Sequence, residues 1–467
     1  MDGKPPTYEQ LVDLTQRQAR QIDELRAEVE RLKSESEQSK RAGKRQAAPF
    51  SKGLPKTDPK RPGRKAGHPP SHRPVPPPEQ VDRTIEVPLP PDCPECHTPL
   101  SQAPVTIHDQ YQIDLPQPKP VITRFRVPVA RCPACLRRVQ GRHPEQTSNA
   151  LGSAAVQYGP RLLGLAADLK HRLGVSYRKC SSVLLTLTGV VVASAALVRS
   201  GHRLRKLAQP SYDRLVEAAS KSVVQHVDET GWKIGGRSAW LWVFADEHAT
   251  LYRIRPSRAH QVVVEVLGED FGGTLVSDCF LAYDPLPFAK QKCLAHLLKT
   301  CGEIERSRTR GAVRFSRRVA ALLRKAMALK RRRGTIGDHG YAVLRGKIHA
   351  ELDRLLAGTY TDPDNARLAK RLRKQREHLL RFLDHDGVDA TNNLAEREIR
   401  PAVIARKLSA GNRTEAGAET HAVLASLLRT CRRQGRDILG SLGDLLRHGP
   451  GHVIPLVTPN PANSCSR

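Results

Sequence analysis

Three carboxylates stand where a chain could bind a hard cation. Val223 to Val227 is a β-rich run that leads straight into Asp228, and Thr274 to Ser277 leads into Asp278. Glu396 lies in a helical pattern that also carries Arg397, Arg400, Arg406 and Lys407. Two strand-end aspartates suit Mg²⁺, or Mn²⁺, which takes few protein ligands and keeps positions for substrate phosphate. A glutamate beside them completes the acid set of two-metal phosphoryl transfer, and flanking cations would hold a phosphate backbone. Each acid also has a bland reading. An aspartate after a strand is ordinarily a turn residue, and Glu396 with Arg400 makes an i,i+4 surface pair.

A second set of ligands is made of thiols. Cys93-Pro94-Glu95-Cys96 and Cys132-Pro133-Ala134-Cys135 are two knuckles, each with thiolates two residues apart. Brought together by a hairpin, they would form a closed site of four thiolates for structural Zn²⁺. Redox use of a C-x-x-C pair is the other reading. The first residues, MDGKPPTYEQ, hold no apolar signal core, so the ten cysteines are expected reduced. The uncharged stretch Ser181 to Val198 is too rich in Ser, Thr and Gly to span a bilayer, and no membrane association is expected.

The elements that must position these groups follow from local pattern. Leu11, Thr15, Gln18, Ile22, Leu25, Val29 and Leu32 alternate four and three apart, so 1–33 is expected to be a zipper-like coiled-coil helix or a lone amphipathic one. Residues 34–82 are a basic, Pro-rich linker without a core, with ten Lys or Arg against one acid in 40–65. Within it Arg61, Arg64 and Lys65 suit an A·T-rich minor groove, or simply a solvated linker. Residues 83–145 form the zinc-binding β unit, with Val105 to Leu115 and Val121 to Val129 as its strands.

Residues 150–215 are helical. Leu162, Leu165, Leu169 and Leu173 stripe the first helix, Gly174 breaks it, Ser176 caps a second, and Thr188-Gly189 turns into a third over Val191 to Leu204. That order suits a helix-turn-helix, or plain helical packing. From 220 to 420 the pattern is a sheet followed by helices. Gly235-Gly236 marks a hairpin turn, and Ser238 to Ala245 is apolar on both faces and so central. All three Trp fall between 232 and 242. Between the second and third acids, 301–350 holds fourteen Lys or Arg against three acids, including Arg331, Arg332 and Arg333. That is too basic for an ordinary solvated face and suits DNA. Residues 421–467 are C-terminal helices and a tail. The fold class is multidomain α+β.

In order, these parts resemble the DDE transposases of insertion sequences, specifically the insertion sequence 66 family. The motifs that carry the resemblance are His226-Val227-Asp228-Glu229-Thr230, Leu275-Val276-Ser277-Asp278 with Tyr283, Cys293-Leu294-Ala295-His296, and Asn392-Asn393-Leu394-Ala395-Glu396-Arg397 through Arg400-Pro401 to Arg406-Lys407. Leu294 stands where the family often has Trp. The resemblance implies an RNase H-like core with Asp228, Asp278 and Glu396 as its metal-binding triad and a helical insertion at about 300–385. It implies hydrolysis at the element's terminal inverted repeats and strand transfer into target DNA. A homo-oligomer is expected, with accessory proteins of the same element as further candidate partners, in the cytoplasm on the nucleoid. The alternative is a non-catalytic or domesticated DNA-binding protein. Cys293 and His296 share one helix face, either supporting the site or as a buried thiol and a satisfied ring.

The formal charge is +30, from 77 Lys+Arg and 47 Asp+Glu. It points to a polyanionic partner. Most of it divides among the linker, the 301–350 segment and the helix that carries Glu396.

Overall fold

The computed structural model of the chain describes residues 16–19, 21–25, 27–30, 73–101, 106–115 and 118–456. Arg61, Arg64, Lys65, Leu11, Thr15, Leu32 and the terminal tail lie outside them. Residues 16–19, 21–25 and 27–30 are helical, and Ile22, Leu25 and Val29 are exposed there. No helix among the described residues is long and apolar enough to cross a membrane. The chain divides into two compact units, one of residues 51–120 and one of 1–50 with 121–467.

In the smaller unit the described residues are extended apart from a short turn at Pro78–Gln80 and a loop closed by an Asp92–Pro99 bridge. Of the strands expected at Val105 to Leu115, in this unit, and Val121 to Val129, in the larger one, only Val129 is in a strand among the described residues; the other described residues of both runs form none. Their side chains are solvated, Val121 at 93% and Ile122 at 90%. The proline-punctuated stretch between them removes ladder donors, and β-branched composition alone does not make a strand without a partner.

After residue 121 the larger unit forms a two-stranded ribbon, β1 (Val129–Arg131) and β2 (Arg138–Gln140). Three helices follow: α1 (Pro160–Ala167), extended by a π turn to Arg172, α2 (Tyr177–Thr188) and α3 (Ser194–Ser220). Ser176 caps α2 by accepting from the Lys179 N–H, and Gly189 ends it with φ +70°. The third helix starts at Ser194 and runs sixteen residues past Leu204, to Ser220. The reason is packing: Leu204, Leu207, Ala208, Tyr212 and Leu215 are buried in the same core as the sheet. Arg199, Arg203 and Lys206 are left on its exposed side.

The sheet has five strands: β3 (Val224–Ile234), β4 (Arg237–Ala245), β5 (Thr250–Arg255), β6 (Thr274–Ser277) and β7 (Ala289–Lys292). Their order is β5-β4-β3-β6-β7, antiparallel among the first three and parallel from β3 to β7. Gly235 and Gly236 turn the β3–β4 hairpin with φ +57° and +82°, as a two-residue hairpin with the sheet's twist demands. Helix α4 (Gln261–Leu267) lies between β5 and β6. Because β4 is interior, its alternate residues feed two cores. Trp242 and Phe244 meet α3 and α4, while Leu241 and Val243 face two helices from the chain's end. Those are the helices at Asn393–Ser409 and Glu415–Arg433.

After β7 come α5 (Leu294–Ser307), α6 (Arg314–Arg331), α7 (Asp338–Ala357), α8 (Pro363–Lys374) and α9 (Arg381–Asp384). They form a helical body between the second and third acids with its own core, into which Val276 of β6 reaches. Asp362 caps α8 by accepting from the Asp364 and Asn365 N–H groups, ahead of Pro363. The chain then returns as α10 (Asn393–Ser409), α11 (Glu415–Arg433) and α12 (Ile438–His448). Ala395, Ala402, Ala405, Ala418, Ala422 and Ala425 line the contact of α10 and α11 with the sheet. Small side chains there let the helix backbones approach closely.

Candidate active site

The register of two strands brings the first two acids together. His226 of β3 is paired with Val276 of β6, the last pair between them. Asp228 and Asp278 each stand two residues beyond that pair, so they share a level and, by strand alternation, a face. Asp228 is not at a strand end, since β3 continues to Ile234 with Asp228 opposite Val243. It sits where β6 has stopped and the sheet opens. Carboxyl ends of parallel strands are where open α/β sheets place ligands.

Glu396 arrives in the first turn of α10, and the helix is held there by Asn392. Asn392 stands at the N-cap, but its side chain makes no cap hydrogen bond because it is used elsewhere. Its Nδ2 donates to the Val227 carbonyl at 2.8 Å, its Oδ1 meets His226 Nδ1 at 3.2 Å, and its backbone N–H donates to Cys293 Sγ at 3.1 Å. The Cys293 N–H in turn donates to the Ser277 carbonyl, and the Leu294 N–H to that of Ala390. The starts of α5 and α10 are thereby tied to β3 and β6 beside the acids.

The charges of the other two acids reach Asp228. Burial and the neighbouring Glu229 carboxylate push Asp228 up to about 7, with Asp278 and Glu396 adding to the rise and the Glu229 N–H opposing it. His296 Nδ1 lies 3.8 Å from Glu396 Oε1. A hydrogen bond with Cys293, and the Cys293, Glu396 and Asp278 charges, raise this imidazole to about 9 against the effect of burial. Glu396 therefore pairs with His296, not with Arg400. Cys293, His296 and Glu396 offer ligand atoms all within 4.8 Å of one another.

A further buried network backs the site. Glu229, 2% exposed, receives Tyr283 Oη at 2.5 Å and Arg258 Nη2 at 2.7 Å. Arg258 also lies over the Phe280 ring at 3.8 Å. Lys292 is wholly buried and donates to Ser277 Oγ and to the Asp278 carbonyl at 3.2 and 3.0 Å. Burial lowers its pKa. Local pattern gave no sign of Lys292, Arg258 or Asn392's role, since their partners are distant in sequence.

The basic residues divide by surroundings. Arg331, Arg332, Arg397 and Arg400 are exposed. Arg333 is engaged with Asp338 and Asp386 and lies over Tyr341. Arg406 donates to Thr230 Oγ1 and to the Gly231 carbonyl, which makes it a brace on β3. Lys407 is half-buried.

Each cysteine knuckle has the same local form. The Cys93 N–H donates to Thr98 O and the His97 N–H to Cys93 O; the Cys132 N–H donates to Arg137 O and the Leu136 N–H to Cys132 O. His97 and Leu136 close the two turns with φ +56° and +55°. The Thr98 hydroxyl lowers Cys96 to about 7, and the Cys135 and Ala134 N–H groups lower Cys132, which favours thiolates.

The chain is 26% identical over 403 residues to the uncharacterized protein y4qI of Sinorhizobium fredii, covering 79% of this chain and 72% of that one. A second protein of that organism, the uncharacterized y4jO, is 29% identical over 117 residues, 25% of this chain and 36% of its own. Residues 155–420 match the profile of the transposase IS66 family, a span that runs from α1 to α11 and holds all three acids. The chain belongs to the IS66 family of transposases.

Proposed function

We propose that this protein is a DDE transposase with an RNase H-like core, cleaving DNA at the ends of an insertion sequence and joining them to target DNA. The observation that carries the reading is the shared level of Asp228 and Asp278 at the opening between β3 and β6, with Glu396 close enough to raise the Asp228 pKa. An acid pushed up to about 7 by burial and by the neighbouring carboxylates suits a site meant for a cation. The all-oxygen donor set suits Mg²⁺ or Mn²⁺ over softer ions.

Bound there, divalent ions would activate the attacking oxygen and stabilise the leaving one. The chain's own part is positional. Asn392 orients β3 against α10, Lys292 holds the backbone at Asp278, and Glu229 is fixed by Tyr283 and Arg258 behind Asp228. Arg331, Arg332, Arg397 and Arg400 suit the DNA backbone. Arg61, Arg64 and Lys65 remain a proposed minor-groove segment, and the helix around Ile22, Leu25 and Val29 a proposed dimer contact. The local turn of each knuckle and its lowered thiol suit zinc binding, and Cys93, Cys96, Cys132 and Cys135 remain the proposed ligands of structural Zn²⁺ from their sequence spacing.

The test is cleavage of a duplex carrying the element's ends. Asp228→Asn, Asp278→Asn and Glu396→Gln should each abolish Mg²⁺-dependent cleavage while end binding persists. Full cleavage by any of them removes that acid from the triad. Binding without cleavage by the wild-type chain favours the non-catalytic alternative.

A further inference from the structure

Beside the three acids stands a ligand set of different chemistry. Cys293 is fully buried at the N-cap of α5, His296 is one turn on, and Glu396 faces them from α10. Their ligand atoms all lie within 4.8 Å of one another. In a tetrahedral site with Zn–S of about 2.3 Å and Zn–N of about 2.0 Å, ligand atoms stand roughly 3.3–3.8 Å apart. Small side-chain rotations close that difference, and His296 and Glu396 are both partly exposed. The thiol already accepts the Asn392 N–H at 3.1 Å, the kind of outer hydrogen bond that orients a ligating sulfur.

One thiolate, one imidazole and one carboxylate with a fourth position open is a donor set for a soft or borderline ion, and a poor one for Mg²⁺. We propose that Cys293, His296 and Glu396 bind a divalent cation of the zinc class, and that this ion draws Glu396 away from Asp228 and Asp278. Binding replaces the Cys293 S–H bond with a sulfur–metal bond and releases its proton, with any proton on the ligating His296 nitrogen, to solvent. The site stands on its own geometry; only the consequence for cleavage rests on the reading of Glu396 as a member of the triad. The protein would then be held inactive when free zinc is high, even with Mg²⁺ in excess.

Co²⁺ titration of the full chain, followed by its thiolate-to-cobalt charge-transfer absorption, tests the site without reference to activity. Wild type should take up one more thiolate-bound cobalt than Cys293→Ser. The neighbouring thiol variant Cys279→Ser should match wild type. His296→Ala should weaken that equivalent by roughly tenfold or more. Equal cobalt uptake by wild type and Cys293→Ser overturns the site, as does loss of the band in Cys279→Ser. If Cys293→Ser does not fold, His296→Ala carries the test, and unchanged cobalt affinity there overturns the site.

The second arm is Mg²⁺-dependent cleavage with added Zn²⁺, each protein compared with its own zinc-free rate. Half-inhibition of His296→Ala should need roughly tenfold more Zn²⁺ than wild type. Cobalt binding together with zinc-insensitive cleavage overturns the withdrawal of Glu396. Retained cleavage by Glu396→Gln overturns the triad reading and leaves the cobalt result standing.

Discussion

The side-chain amide of Asn392 donates to the backbone carbonyl of Val227 across 165 residues of chain, at 2.8 Å. Val227 precedes the first acid and Asn392 lies four residues before the third, so this one bond sets the approach of α10 to β3. The same side chain accepts His226 as its second partner, and both groups are buried.

Asn392→Ala removes both bonds and strands a buried carbonyl and ring nitrogen. The expected cost is about 1–3 kcal/mol of stability. Cleavage should fall by roughly tenfold to a hundredfold, because a displacement of about 1 Å at a reacting site costs that much. DNA binding should persist. A variant that cleaves like wild type would falsify the positioning role.

Glu398 is a second acid on α10, with a role distinct from that of Glu396. It is 2% exposed, accepts Arg429 Nη2 at 2.8 Å and Thr250 Oγ1 at 3.1 Å, and its backbone carbonyl accepts Tyr252 Oη at 2.6 Å. Burial pushes its pKa up, but Arg429, Arg433 and Thr250 outweigh that and hold it below the usual value. Glu398→Ala leaves Arg429 half-buried without its carboxylate and should cost about 3–5 kcal/mol. Denaturant titration reads this directly. A loss under about 1 kcal/mol, the scale of an exposed pair, would show that the pair does not join α10 and α11 to β5.

Acid sensitivity is built into a pair of buried histidines. His171 Nδ1 meets His421 Nδ1 at 3.2 Å, and the His421 ring stacks on Trp232 with centroids 5.4 Å apart. Burial, with Lys170 nearby, lowers His421 to about 3; burial and the His421 charge hold His171 well below its ordinary value. A depressed folded pKa means that the unfolded chain binds the proton first. The contribution is whole above the ordinary value of 6.5 and is lost as pH falls from there toward about 3. His421→Phe keeps a ring against Trp232 and removes one titrating group. Its melting temperature should fall less steeply than wild type between about pH 6.5 and 4. Equal slopes would take His421 out of the acid response.

The cationic insertion makes a graded prediction. Arg331→Glu with Arg332→Glu should weaken binding to any duplex and reduce the salt slope by roughly 1–2, with folding intact. Arg333→Glu should instead lower the melting temperature, since Arg333 is spent on Asp338, Asp386 and Tyr341. Fluorescence anisotropy at several salt concentrations separates the two. An unchanged slope in the double variant would mean that this end of α6 does not meet DNA.

Much of the larger unit was legible in its sequence. The β3 and β6 runs into aspartates, the Gly235-Gly236 turn, the interior β4 and the helices around Ser176 and Gly189 all follow from local rules of alternation, capping and left-handed glycine. These rules act within a few residues, so a single chain displays them. What local pattern could not supply is β7. Its Ala289-Lys290-Gln291-Lys292 carries no strand signature, yet Lys292 is buried because Ser277 and Asp278 satisfy its ammonium, and Gln291 because Leu379 and Phe382 do. The same holds for the runs at 106–115 and 121–128, whose strand-forming residues are in no strand among the described ones.

The three candidate acids follow that division. Their types and settings belong to the sequence, but their meeting belongs to tertiary structure. The His226–Val276 register puts Asp228 level with Asp278, and Asn392 brings α10 and Glu396 to both. It is likewise the fold that spends Arg333 on ion pairs and Arg406 on Thr230 and a backbone carbonyl, while leaving Arg331, Arg332 and Arg400 in solvent and Arg397 exposed beside Glu398. The physical reason is common to all of these. A buried polar group must find its partner wherever the chain's packing places one, and that partner can be 165 residues away.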